Sequence, residues 1–159
     1  FEQAGSNRVR VQGATGQAPT STYKVSATYA DGYRNTAVLV IGGQDAAAKA
    51  RRTGEALLKR TSRMLYELGL PGYSETRIEV LGAEDMFGNS ARPDAREVVL
   101  KIAVKSPAKA SLELFAREYA PSGTSMSPGT TGLIGGRPSP SPVIRLFSFL
   151  VQKIGRAHV

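Results

Sequence analysis

The stretch DAAAKARRTGEALLKRTSRMLYEL, residues 45–68, decides how the rest of the chain is read. Ala47, Ala50, Gly54, Leu57, Thr61, Leu65 and Leu68 recur at steps of three and four, the spacing that gathers side chains on one stripe of a helix. Arg51, Arg52, Lys59, Arg60 and Arg63 fall mainly off that stripe and read as its solvated face. Asp45 is placed to cap the first free amides, Gly69 follows the last periodic residue, and Pro71 forbids continuation. At about 1.5 Å per residue the helix is roughly 36 Å long, enough to cross a sheet. A glycine inside a helix costs about 1 kcal/mol against alanine, so Gly54 on the stripe marks a close approach to a strand.

Strands flank this helix. Upstream, Arg8 to Val11 alternates as a short edge strand. Val25, Ala27 and Tyr29 then share one face and Lys24, Ser26 and Thr28 the other. Asp31-Gly32 is a turn signal before the apolar run Thr36 to Ile41, so residues 23–41 are predicted to be a hairpin whose second strand is buried on both faces. Downstream, Thr76 to Leu81 is a strand with Ile78 and Val80 inward, and Arg96 to Lys105 is the cleanest alternation in the chain. Ser106 and Pro107 read as the cap and first position of a second helix, with Ala108, Leu112, Phe115, Ala116 and Tyr119 on its apolar face. Residues 120–142, rich in Gly, Pro and Ser, are predicted to be an irregular loop. Val143 to Val151 returns as an apolar strand before a frayed tail from Gly155.

From Thr36 the order is strand, helix, strand, strand, helix, strand. It predicts an α+β fold: a ferredoxin-like split β-α-β sandwich with an added N-terminal β-hairpin, two helices lying on a mainly antiparallel sheet. Residues 1–159 form one domain on this reading, with N-terminal strands over 1–35 and the β-α-β-β-α-β core over 36–151. The second sheet face, with Val38, Val40, Val143, Phe147 and Phe149, is apolar as well. It calls for a cover, from a second copy in a homo-oligomer or from a region outside this sequence.

A chain of 159 residues that is 41% apolar can bury a core. With no cysteine, disulfides, zinc ribbons and thiol catalysis are excluded, and a reducing cytoplasm is the expected setting. No apolar run approaches the roughly 18 residues of a membrane span, so no membrane partner is expected. The chain opens at Phe1 without an initiator methionine or a signal-peptide pattern, and reads as the C-terminal piece of something longer. A net charge of +8 invites nucleic acid, but the basic residues are dispersed and interleaved with Asp and Glu, which disfavours that partner.

No catalytic constellation is legible, and no metal site or cofactor is expected. His158 is the sole histidine and belongs to the tail. Adjacent Glu84 and Asp85 read as a solvated or capping turn rather than an acid–base pair. The candidate ligand-binding residues lie in the glycine-rich segment: Ser122, Gly123, Thr124 and Ser125, then, past Leu133-Ile134, Gly135, Gly136 and Arg137. Glycines let amides approach an anion, and hydroxyls with a guanidinium can complete a phosphate or carboxylate cradle. The segment is expected beside a helix N-terminus or an inter-chain cleft.

Several of these stretches together resemble the C-terminal portion of the acyclic terpene utilisation A family. They are Gly5-Ser6-Asn7-Arg8-Val9-Arg10-Val11-Gln12-Gly13, Tyr23-Lys24-Val25-Ser26, Tyr29-Ala30-Asp31-Gly32-Tyr33, the helix start from Ala47 to Leu58, and Glu79-Val80-Leu81-Gly82. The loop from Ala120 to Gly136 and the strand Arg145 to Leu150 extend the likeness, although the glycine run is longer than the family pattern. The resemblance implies bacterial breakdown of citronellol- and geraniol-type terpenoids through acyl-CoA intermediates, and a larger N-terminal α/β region as partner. On this basis the chain is expected to be a ligand-binding or assembly module taking an acyl-CoA or another anionic small molecule. The alternative is an RNA-binding ferredoxin-like domain, which would stack bases on aromatics of Thr36–Ile41 and Arg96–Lys105, where none occurs.

Overall fold

A computed structural model describes residues 1–90, 94–133 and 135–153. The predicted tail from Gly155, with His158, and the loop residue Ile134 lie outside the described residues. The chain divides into two compact units, one of Phe1–Ala27 with the segment from Leu146, the other of Thr28–Arg145.

In the first unit β1 (Glu2–Gly5) and β2 (Arg8–Arg10) form a small antiparallel hairpin closed by an Arg10–Glu2 ion pair, where the sequence predicts only an edge strand. The unit also holds the start of β3 (Thr22–Gly42) and most of β7 (Ser141–Gln152), which pair. The Lys153 amide donates to the Ser21 carbonyl at 2.9 Å, and the Ser26 and Ser148 hydroxyls meet at 3.3 Å. One partner's number falls as the other's rises, so this pairing is antiparallel. Phe147 and Phe149, two apart and hence on one face, stack with centroids 5.6 Å apart while remaining 57% and 42% exposed.

The second unit carries α1 (Ala46–Glu67), β4 (Glu75–Leu81), a 3₁₀ segment (Asp85–Ser90), β5 (Glu97–Ser106), α2 (Lys109–Ser125) and β6 (Thr130–Gly132). The sheet order is β4-β5-β3-β6, antiparallel throughout this path, with β7 also paired to β3. The α+β class and two helices on a mainly antiparallel sheet hold. The strand order is not a simple split β-α-β, because β6 and β7 both pair with β3.

The predicted helix over 45–68 is α1, and Ala50, Gly54, Leu57, Thr61 and Leu65 of its stripe are buried. Leu68 stays exposed because the helix ends there. A Cβ on Gly54 would come within 3.1–3.3 Å of the Ile78 side chain, so the close approach to a strand is to β4. At the exit the Leu70 amide reaches the Leu65 carbonyl and the Gly69 amide reaches that of Tyr66, a Schellman closure with Gly69 at φ 66°. The entry departs from expectation. Asp45 sits at φ 55° and makes no side-chain cap, while Lys49 Nζ, a donor, ties the first turn to the Gly42 and Pro128 carbonyls at 2.8 and 3.0 Å.

Burial alternates along β5, placing Val98, Leu100, Ile102 and Val104 in the core with Ala37, Leu39 and Ile41 of β3 and Val80 of β4. Leu112, Phe115 and Tyr119 of α2 complete it. Burying a ring such as Phe115, 0% exposed, contributes about 1.5–3 kcal/mol. The other face of β3, with Val38 and Val40, is half-buried, so the prediction of burial on both faces is corrected to alternation.

The predicted hairpin over 23–41 is also corrected: β3 runs unbroken through Asp31-Gly32. Gly32 has φ 75°, and a Cβ there would lie 2.7 Å from the Ser106 carbonyl oxygen. Glycine is required by the approach of β5, not by a turn. The second helix likewise begins at Lys109, with Ala108 and not Ser106 at its cap. Ser106 is the last residue of β5; its buried hydroxyl accepts from the Ala108 amide at 3.3 Å and donates to the Gly72 carbonyl at 3.0 Å. Finally, residues 120–142 are not wholly irregular, since α2 continues through Pro121 to Ser125 and β6 pairs with Leu39–Ile41.

Candidate functional site

Residues 34–38 of β3, Lys101 of β5, Tyr119 of α2, residues 135–139 and Ser141 line a cavity of about 530 Å³. That volume suits a small ligand. The β3 edge facing this gap is held by side chains in place of a strand. Tyr119 Oη donates to the Val38 carbonyl at 2.6 Å, and the Thr36 amide donates to Asn35 Oδ1 at 2.8 Å. Asn35 Nδ2 donates in turn to the carbonyls of Leu112 and Pro138 at 3.3 and 3.2 Å, pinning the loop. Burial pushes the Tyr119 hydroxyl pKa up, so it remains a donor at neutral pH.

Three cationic side chains line the cavity: Arg34 from β3, Lys101 from β5 and Arg137 from the loop. Strand alternation puts Arg34, Thr36 and Val38 on the face of β3 turned away from the helices, and register sets Lys101 opposite Val38. Lys101 is already engaged with Glu79 at 2.7 Å, and this bond holds the Glu79 carboxyl below its usual pKa. Among the described residues Arg34 and Arg137 have no ion-pair partner and both are exposed. Thr36, Ser139 and Ser141 add hydroxyls, Gly135 and Gly136 bare backbone, and among the described residues no carboxylate is part of the lining.

The predicted site residues therefore separate. Gly135, Gly136 and Arg137 line the cavity. Ser122, Gly123, Thr124 and Ser125 do not: they form the last turn of α2, the carbonyl end of a helix and not the expected N-terminus. Their hydroxyls are spent on the helix itself, Ser122 donating to the Tyr119 carbonyl at 2.5 Å, and Thr124 and Ser125 to the Pro121 carbonyl at 3.1 and 2.7 Å. Sequence reasoning missed Arg34, Thr36, Lys101 and Tyr119. The signal lies in the polar residues that interrupt one face of each strand, Arg34 and Thr36 on β3 and Lys101 on β5, which strand register brings together.

Other charged clusters are structural. Asp85 bonds Arg51 at 2.8 Å and accepts from the Val80 amide at 3.3 Å, tying α1 to β4, and the Arg51 bond leads in holding its pKa down. Arg60, nine residues further on and so on the opposite flank of the helix, bonds Glu118 of α2 at 2.8 Å. Asp31, Glu75, Lys105 and Arg145 form a closed ring, with each cation touching both carboxylates at 2.5–3.0 Å. Among the described residues no group of three His, Cys, Asp or Glu is placed to hold a metal, and no helix is long and apolar enough to cross a membrane.

Comparison with known proteins returns one family. The model of acyclic terpene utilisation family protein AtuA matches residues 1–158. No curated protein and no solved structure matches.

Proposed function

Because the chain belongs to the acyclic terpene utilisation family AtuA, we propose that it is a ligand-binding and assembly module that takes an anionic intermediate of acyclic terpenoid breakdown, an acyl-CoA in the first instance, in the cavity beside β3. The observation that carries this reading is the pair Arg34 and Arg137, two guanidinium groups without ion-pair partners among the described residues, lining one cavity of about 530 Å³. A guanidinium left open in a concave site is matched to carboxylate or phosphate oxygens, which it bonds in pairs. The face of β3 and β5 around the cavity offers Thr36, Val38, Val40, Val99 and Ala103 and no aromatic ring, and the Tyr119 ring in the lining is only 7% exposed, which favours a small ligand over stacked RNA bases. The exposed Leu146, Phe147, Phe149 and Leu150 support the assembly half of the proposal.

Calorimetric titration with a branched terpenoid acyl-CoA tests it. Arg34→Ala and Arg137→Ala are each expected to weaken binding about tenfold or more, the usual scale for one charge-assisted contact. Unchanged affinity in both variants would remove the cavity from the account.

A further inference from the structure

The cavity's lining also says which end of such a ligand it holds. Resting on the ligand-binding reading above, we infer that it is a phosphoryl site, taking a phosphate monoester or diphosphate and leaving the hydrocarbon chain outside. The charge balance points there first. Glu79 is shared between Lys101 at 2.7 Å and Arg77 at 3.0 Å and answers Lys101 only in part, so Arg34 and Arg137, without ion-pair partners among the described residues, add about two uncompensated positive charges, and no carboxylate is among the described lining residues. A phosphate dianion matches about two charges, whereas a carboxylate carries one and would leave a guanidinium unanswered.

The donors point the same way. Two guanidiniums, the Thr36, Ser139 and Ser141 hydroxyls and the bare backbone at Gly135-Gly136 converge on one space. That is far more than the two oxygens of a carboxylate can accept, and it suits the several oxygens of one or two phosphoryl groups. The apolar share is correspondingly poor. Its apolar members are Ala37, Val38, Pro138 and the ring of Tyr119, and Ala37 and Tyr119 are only 1% and 7% exposed, so little wall remains for a branched hydrocarbon.

Inorganic diphosphate, coenzyme A and a free terpenoid carboxylate, titrated separately into the protein, form the test. Diphosphate and coenzyme A are expected to bind, and the carboxylate to bind at least about a hundredfold more weakly. Arg34→Met and Arg137→Met should each weaken diphosphate about tenfold or more, while Arg52→Met on the outer face of α1 leaves it unchanged. Thermal melts of all three variants check that the fold is intact. If the carboxylate binds in an Arg34- and Arg137-dependent way and diphosphate does not, the phosphoryl assignment falls and the ligand-binding proposal stands. If no probe binds, both fall. Diphosphate binding that ignores Arg34 and Arg137 also overturns the assignment, since the anion is then held elsewhere.

Discussion

Replacing Gly32 with alanine tests the continuous β3 directly. Two costs are expected there. A non-glycine residue at φ 75° costs about 1–2 kcal/mol for its left-handed backbone. The new Cβ would in addition lie 2.7 Å from the Ser106 oxygen and 3.2 Å from Pro107 Cα, both backbone atoms that move only if β5 moves. Overpacking of this kind adds about 1–3 kcal/mol. Gly69→Ala is the control, because Gly69 has φ 66° but nothing within 4 Å of where its Cβ would stand, so it carries the backbone cost alone. In urea, with a slope of about 2 kcal/mol per M, Gly32→Ala should lower the midpoint by about 1–2.5 M and Gly69→Ala by about 0.5–1 M. Far-UV circular dichroism follows both. Were Asp31-Gly32 an exposed hairpin turn, the two variants would cost the same; a difference below about 0.5 kcal/mol would refute the approach of β5.

The ring of Asp31, Glu75, Lys105 and Arg145 makes stability pH-dependent. Bonding to Lys105 lowers the Asp31 and Glu75 pKa values from 3.8 and 4.5, so their contribution is present above those values and is lost as pH falls through the lower folded values. The same bonds raise the Lys105 pKa from 10.5, so its contribution is present below that value and is lost as pH rises through the higher folded one. Lys105→Met should lower the melting temperature on the neutral plateau and flatten both flanks, and a wild-type slope in this variant would show that the ring contributes nothing. The exposed Phe147 and Phe149 are expected to make the chain at least a dimer in sedimentation at micromolar concentration, and Phe147→Ser with Phe149→Ser to shift it toward monomer. A wild-type monomer that binds no hydrophobic dye would contradict this.

Local chemistry explains which elements could be read in advance. The stripe of α1 and the alternation of β5 repeat over many residues, and each is enforced by one buried face, so periodicity alone found them. Gly54 was legible because a helix penalises glycine unless something needs the space. Asp31-Gly32 misled because the same dipeptide serves a turn and a crowded strand, and only the arrival of Ser106, far along the chain, separates the two. Ser122 to Ser125 lie in the last turn of α2 and not in a loop, a difference the sequence does not show because hydroxyls that serve a ligand and hydroxyls that finish a helix have one composition. Of the glycine-rich segment Gly135, Gly136 and Arg137 line the cavity, and Arg34 and Lys101 join them only through strand register, which the sequence does not show.

The pairing of β3 also sets the order in which the chain can fold. Tyr33–Gly42 finds its partner in Glu97–Ser106 and a second one in Thr130–Gly132. During synthesis the Val-Leu-Val-Ile run of β3 therefore waits for roughly 60 further residues, about 3–12 s at 5–20 residues per second, before β5 exists. Over that interval α1 can form from local contacts, but the strand that will lie at the centre of the sheet is an unpaired apolar edge open to other chains. Slow translation between Gly43 and Glu97, or a shortage of chaperone, should consequently reduce soluble yield more than any loss of final stability would account for.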